Sequence, residues 1–73
     1  MRLAVGSAGY RVGVVETARV REDIARATGI AMERYSLSES GAVALLTRLA
    51  KRREVALGVI ALAVIAASRR RAD

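Results

Sequence analysis

Histidine, cysteine, tryptophan, phenylalanine, proline, asparagine and glutamine are all absent from this 73-residue chain. Each absence removes a class of function. Without His and Cys, most nucleophilic catalysis and transition-metal binding have no side chains to work with. Disulfides are excluded, and a structural zinc site would lack its usual Cys and His ligands. With Tyr10 and Tyr35 as the entire aromatic complement, stacking platforms for single-stranded nucleic acid are scarce. No two carboxylates sit in an apolar context that would raise a pKa, so no acid–base site is visible. Catalytic residues, cofactors and metals are therefore all expected to be none. Missing proline removes the commonest interruption of a helix, and the chain reads as mostly helical.

What is present is apolar and basic. Apolar residues make up 53% of the chain, and the net charge is +6. Chains this short have cores worth roughly 3–5 kcal/mol, and small domains commonly add a disulfide, a metal or a partner subunit. With the first two excluded, self-association or docking on a larger assembly is expected. The basic set is twelve Arg and one Lys. Residues 1–45 hold six Arg against five acids, a balance of +1, whereas residues 46–73 carry a balance of +5. Such a basic half is a plausible footprint for phosphates or anionic lipid, and equally a solubilising device around an apolar segment. No secretory h-region is seen near the N-terminus, so a cytoplasmic location is expected.

The expected organisation is one small domain over residues 1–73, with about three helices and a possible short N-terminal β-hairpin. Tyr10, Val12 and Val14 alternate at strand spacing, and Gly6-Ser7-Ala8-Gly9 offers a turn. Residues 1–16 are thus a hairpin or a loosely ordered arm. Residues 17–53 read as a helical pair. The first helix begins at Thr17 and carries Val20, Ile24 and Ala27 as a thin apolar stripe, with Gly29 as its stop. The second opens on Ser36-Leu37-Ser38-Glu39, a capping-box pattern with Ser36 as N-cap. Ser40 is a second cap candidate. Ala42, Leu45, Leu46 and Leu49 share one face, while Arg48, Lys51 and Arg52 share another.

Residues 55–67 are thirteen apolar residues in a row. Length favours a helix, although the Val and Ile content also suits a buried strand. A basic tail, residues 68–73, follows. A thirteen-residue helix covers roughly 20 Å against about 30 Å of hydrocarbon, too short to span unless flanking Arg side chains snorkel. Gly58, Ala61, Leu62 and Ile65 form a surface on which two copies can pack closely. Membrane insertion, with Arg69, Arg70 and Arg71 at the headgroups, is the competing reading.

The segment Arg21-Glu22-Asp23-Ile24-Ala25-Arg26-Ala27-Thr28-Gly29-Ile30 resembles the first half of a bacterial helix-turn-helix, as in lac-repressor-like regulators. Ala25 and Gly29 hold that motif's spacing of small residue and turn glycine. Over residues 21–35 the resemblance implies a DNA-binding regulator. Where the motif would place an apolar anchor beyond Tyr35, this chain has Ser38. Residues 41–53 are the alternative reading helix. A shorter likeness is to B-type ribose-5-phosphate isomerases. Met1 to Tyr10 is similar to their opening, and Thr28-Gly29-Ile30-Ala31-Met32 to their phosphate loop. The Asp, His and Cys of that family are missing, so its chemistry is not implied.

The expected function is a small basic module that binds nucleic acid or regulates through it. Arg48, Lys51, Arg52, Arg53, Arg69, Arg70 and Arg71 are the candidate phosphate contacts, because guanidinium forks onto phosphate oxygens. Contact with duplex backbone is the form this composition favours. A membrane-associated cationic peptide is one alternative. A structural subunit or simplified sequence without independent activity is another.

Overall fold

The computed structural model describes the backbone of residues 2–72 and the side chains of residues 17–71. It is a three-helix, all-α arrangement: α1 spans Arg2–Tyr35, α2 Glu39–Arg53 and α3 Leu57–Ala72. A helix of 34 residues is about 50 Å long at 1.5 Å per residue, and the molecule's longest dimension is 50 Å. The two later helices, of 15 and 16 residues, are less than half that length. The chain runs along α1, turns back along α2, and turns again so that α3 lies parallel to α1. Gly58, near the start of α3, faces Val20. Val64, Ala67 and Arg71 border the same groove as Ile30, Ala31 and Arg34.

No strand forms among the described residues. The N-terminal hairpin is replaced by the first half of α1, and Met1 of that segment lies outside the described residues. The strand signal was an alternation of only three residues. Once a helix is nucleated, extending it gains a hydrogen bond for each residue fixed. Gly6, Gly9 and Gly13 weaken that extension by about 1 kcal/mol each without the steric block proline would impose.

Gly29 is likewise not a stop. It is exposed, in the middle of α1, and no described glycine has a positive φ. Ala27 and Ala31 flank it on the buried face, and Thr28 is buried with its Oγ1 donating to the Ile24 carbonyl at 2.7 Å. Packing of this face offsets the cost of about 1 kcal/mol for a mid-helix glycine. The turn begins seven residues later, at Ser36, so residues 21–35 are one continuous helix and not a helix-turn-helix.

Both α1 and α2 end in the same way without glycine. Ser36 follows α1 at φ 54°, and Glu54 follows α2 at φ 56°. In each case the next amide reaches back five residues: Leu37 N–H donates to the Met32 carbonyl at 3.0 Å, and Val55 N–H to the Ala50 carbonyl at 3.0 Å. Glu54 N–H also donates to the Lys51 carbonyl at 3.2 Å. These are Schellman closures, in which a left-handed residue lets late carbonyls of the helix find donors. Ser36 is therefore part of the α1 terminus. The N-cap of α2 is Ser38, whose Oγ accepts from Gly41 N–H at 3.2 Å. Two helix ends compete for this short stretch, and the cap moves two residues beyond the expected position.

The core gathers Ala27, Leu46, Ala50, Ile60, Ala61 and Ile65, with Ile24, Ile30, Leu49 and Leu57 packed at its edge. Alanine dominates, so the helices approach closely, and among the described residues Leu46 is the single large side chain that is fully buried. The apolar run at 55–67 is mostly helix α3, and it is part of this core. No helix of the described residues is long and apolar enough to cross a membrane. The membrane-inserted reading is withdrawn: Ile60, Ala61 and Ile65 turn towards α1 and α2 of their own chain instead of towards lipid.

Candidate nucleic-acid interface

The short connection 54–56 keeps the end of α2 beside the start of α3. The α2 cations therefore belong to one end of the bundle. Lys51, Arg52 and Arg53 occupy the last turn of α2, with Arg48 one turn earlier, and all four are exposed. Arg69, Arg70 and Arg71 occupy the last turn of α3 and are also exposed. From Leu57 to Arg70 is thirteen helical steps, or roughly 20 Å. The two clusters, close in sequence charge, are thus held at opposite ends of α3. Each sits at a helix C-terminus, where cations complement the partial negative charge of the unpaired carbonyls by about 0.3–1 kcal/mol.

What the fold brings together at the α3 end was not visible in the sequence. Because α1 and α3 are parallel, Arg34 and Tyr35 line the same groove as Arg71, a groove of about 440 Å³. Ile30, Leu45, Leu49 and Val64 give it an apolar lining, and among the described residues no carboxylate borders it. The Arg34 guanidinium carbon lies 5.3 Å from the centroid of the Tyr35 ring, within cation–π range. Tyr35 remains 54% exposed. The only advance signal was charge: Arg34 is the last basic residue before the turn, but its distance in sequence from Arg71 hid the pairing.

The four residues expected to mediate self-association divide differently. Ala61 and Ile65 are buried in the chain's own core. A Cβ built on Gly58 would lie 3.2 Å from Val20 Cγ1, so this glycine serves the α1–α3 approach. Leu62 alone among the four is exposed, at 56%. Close packing of small residues occurs here between helices of one chain. Among the described residues, no group of His, Cys, Asp or Glu is arranged to hold a metal.

The model of the ANTAR domain matches residues 14–65, most of the chain. This chain belongs to the ANTAR domain family. ANTAR domains are helical, regulatory and RNA-binding, and the family is not one of enzymes. The match covers the whole of α2 and the packed parts of α1 and α3. It also covers residues 21–35, where the likeness to a bacterial regulator found the right kind of segment, helical and regulatory, under the wrong motif. Nothing supports the isomerase likeness: its N-terminal scrap lies in helix α1 and its glycine loop lies inside the same helix. No curated protein and no solved structure matches the chain significantly.

Proposed function

We propose that this ANTAR chain is a regulatory RNA-binding module that grips phosphates at both ends of its helical bundle. The observation that carries the reading is the family match over residues 14–65. RNA replaces the DNA expected from the helix-turn-helix likeness. Exposed Arg69, Arg70 and Arg71, joined by Arg34, form one grip. Arg48, Lys51, Arg52 and Arg53 form the other. A protein that neutralises phosphates releases counterions, so its affinity falls steeply with salt. Arg also suits the task better than Lys because its planar fork can engage two phosphate oxygens at once.

Binding of the full chain to a structured RNA across a salt series tests this. The double variants Arg52→Ala/Arg53→Ala and Arg70→Ala/Arg71→Ala should each weaken binding and flatten the logarithmic salt slope by about 1–2 units. Binding that is undetectable at low salt, or a slope unchanged in both variants, contradicts the reading.

A further inference from the structure

We infer that the outward face of α3 pairs with the same face of a second copy of this chain, the two helices running antiparallel. This goes beyond the RNA-binding reading and does not depend on it. Ile60, Ala61 and Ile65 are buried in the chain's own core, yet the opposite side of the helix is no more polar. Val59 and Leu62 are 53% and 56% exposed. Ala63 is exposed beside them and Ala66 is half-buried. No polar side chain occurs between Glu54 and Ser68. A helix with one buried face ordinarily turns polar residues to water on the other. Helix α2 does so with Arg48, Lys51 and Arg52, all exposed; α3 does not until its last turn. Val59, Leu62 and Ala66 are spaced by three and four residues, so they form one stripe along the helix. A contiguous exposed apolar surface of this kind marks an interface.

The charges at the two ends of the stripe select the occupant. Exposed Glu54 stands at its start, and Arg69 and Arg70 stand exposed at its end. A surface that is apolar in the middle, acidic at one end and basic at the other is complementary to itself about a two-fold axis. With the axis between Leu62 and Ala63, Val59 meets Ala66 of the other copy and Leu62 packs across the axis. Glu54 then arrives at the arginine end of the other α3. A parallel pair would instead set two arginine triplets side by side. Ala63 and Ala66 are small enough for the helices to approach closely. The stripe is one helix face roughly 20 Å long. That is well short of the roughly 800 Å² per partner of a stable interface, so the pair is weak, with a Kd on the order of 100 μM. The groove bordered by Arg34, Val64 and Arg71 lies on another side of α3 and stays open in the pair.

Sedimentation velocity of the full chain without RNA, from about 10 μM to about 1 mM, should show the mean mass rising towards twice the monomer. Leu62→Glu should weaken the association roughly ten-fold or more, because two carboxylates would be buried together at the axis. Val43→Glu, at an exposed apolar position on α2, should leave it unchanged. Leu62 is more than half exposed, so its variant should keep the wild-type circular dichroism. Orientation is read by cross-linking, since the chain has no cysteine of its own. Leu62→Cys should oxidise to a linked dimer, and Val59→Cys should link to Ala66→Cys but not to itself, because a disulfide needs neighbouring Cα atoms. A chain that stays monomeric throughout the range overturns the inference. Association unchanged in Leu62→Glu overturns it too, as does Val59→Cys linking to itself as readily as to Ala66→Cys. A monomer that binds phosphatidylglycerol vesicles would assign the face to a lipid surface and equally overturn it. With RNA absent from every arm, the RNA-binding reading stands or falls separately.

Discussion

Leu46 and Glu54 show how much rests on single residues in a core made chiefly of alanine. Among the described residues Leu46 is the one large side chain fully enclosed, in a cluster that draws on all three helices. Truncation of such a leucine costs about 2–5 kcal/mol, comparable with the whole margin of roughly 3–5 kcal/mol for a domain of this size. Leu46→Ala should therefore be largely unfolded at 25 °C, read as loss of helical circular dichroism. A cooperative melt within a few degrees of wild type would show that the core lies elsewhere. Glu54 presents the opposite case. It sits at φ 56°, where any residue with a Cβ is disfavoured by about 1–2 kcal/mol relative to ordinary helix. Glu54→Gly should raise stability by about 0.5–1 kcal/mol, checked by chemical denaturation. An unchanged or lower midpoint would mean that the carboxylate contributes something the backbone argument omits.

At the scale of elements, the three helix ends explain what was legible in the sequence and what was not. The amphipathic stretch ending at Arg53 and the apolar run after it were readable, because three- and four-residue spacing and length are properties of the segment itself. Both became helices close to the expected places. The ends were misread because the usual punctuation is displaced. Glycine, the commonest stop, stands inside α1 at Gly29, while the residues that do adopt the left-handed turn are Ser36 and Glu54. Their conformation is imposed by tertiary packing of the flanking helices, which no local rule contains. The start of α3 is a third variation: Ala56 occupies the cap position, its carbonyl accepting from Val59 N–H at 3.0 Å and Ile60 N–H at 3.4 Å. Alanine offers no side-chain acceptor for the first amides. Ala56→Ser should stabilise the domain by about 0.5–2 kcal/mol, visible as a higher melting temperature. Gly58, two residues on, approaches Val20 closely, and a Cβ there would lie 3.2 Å from Val20 Cγ1. Gly58→Leu should overpack that contact and cost about 1–3 kcal/mol. The loss should be the same at every protein concentration, since the contact lies within one chain. A loss seen only at high concentration would return Gly58 to an interface between copies.

For the whole molecule, charge was legible but its arrangement was not. The basic half of the sequence is real, yet the fold separates Arg52 and Arg53 from Arg70 and Arg71 by most of the length of α3. It recruits Arg34 and Tyr35 from the far end of α1 to the second cluster. That juxtaposition depends on α1 and α3 running parallel, which follows from the two tight turns at 36–38 and 54–56 and not from any pattern within a segment. Of the two tyrosines, Tyr35 borders an apolar groove together with Arg34 and Arg71. Among the described residues, the fold is a helical scaffold that presents cations at both ends of α3.

The central claim is that this chain recognises RNA as RNA, and not merely as a polyanion. The most direct measurement is competition at physiological salt. A labelled stem-loop RNA bound to the full chain is challenged with unlabelled RNA or with DNA of the same sequence. The two competitors have the same charge and differ chiefly in the 2′-hydroxyl and in helix geometry, features by which proteins distinguish them. The account predicts that the RNA displaces the label at concentrations where the DNA does not. Equal displacement by the DNA, or no complex to displace, would contradict it.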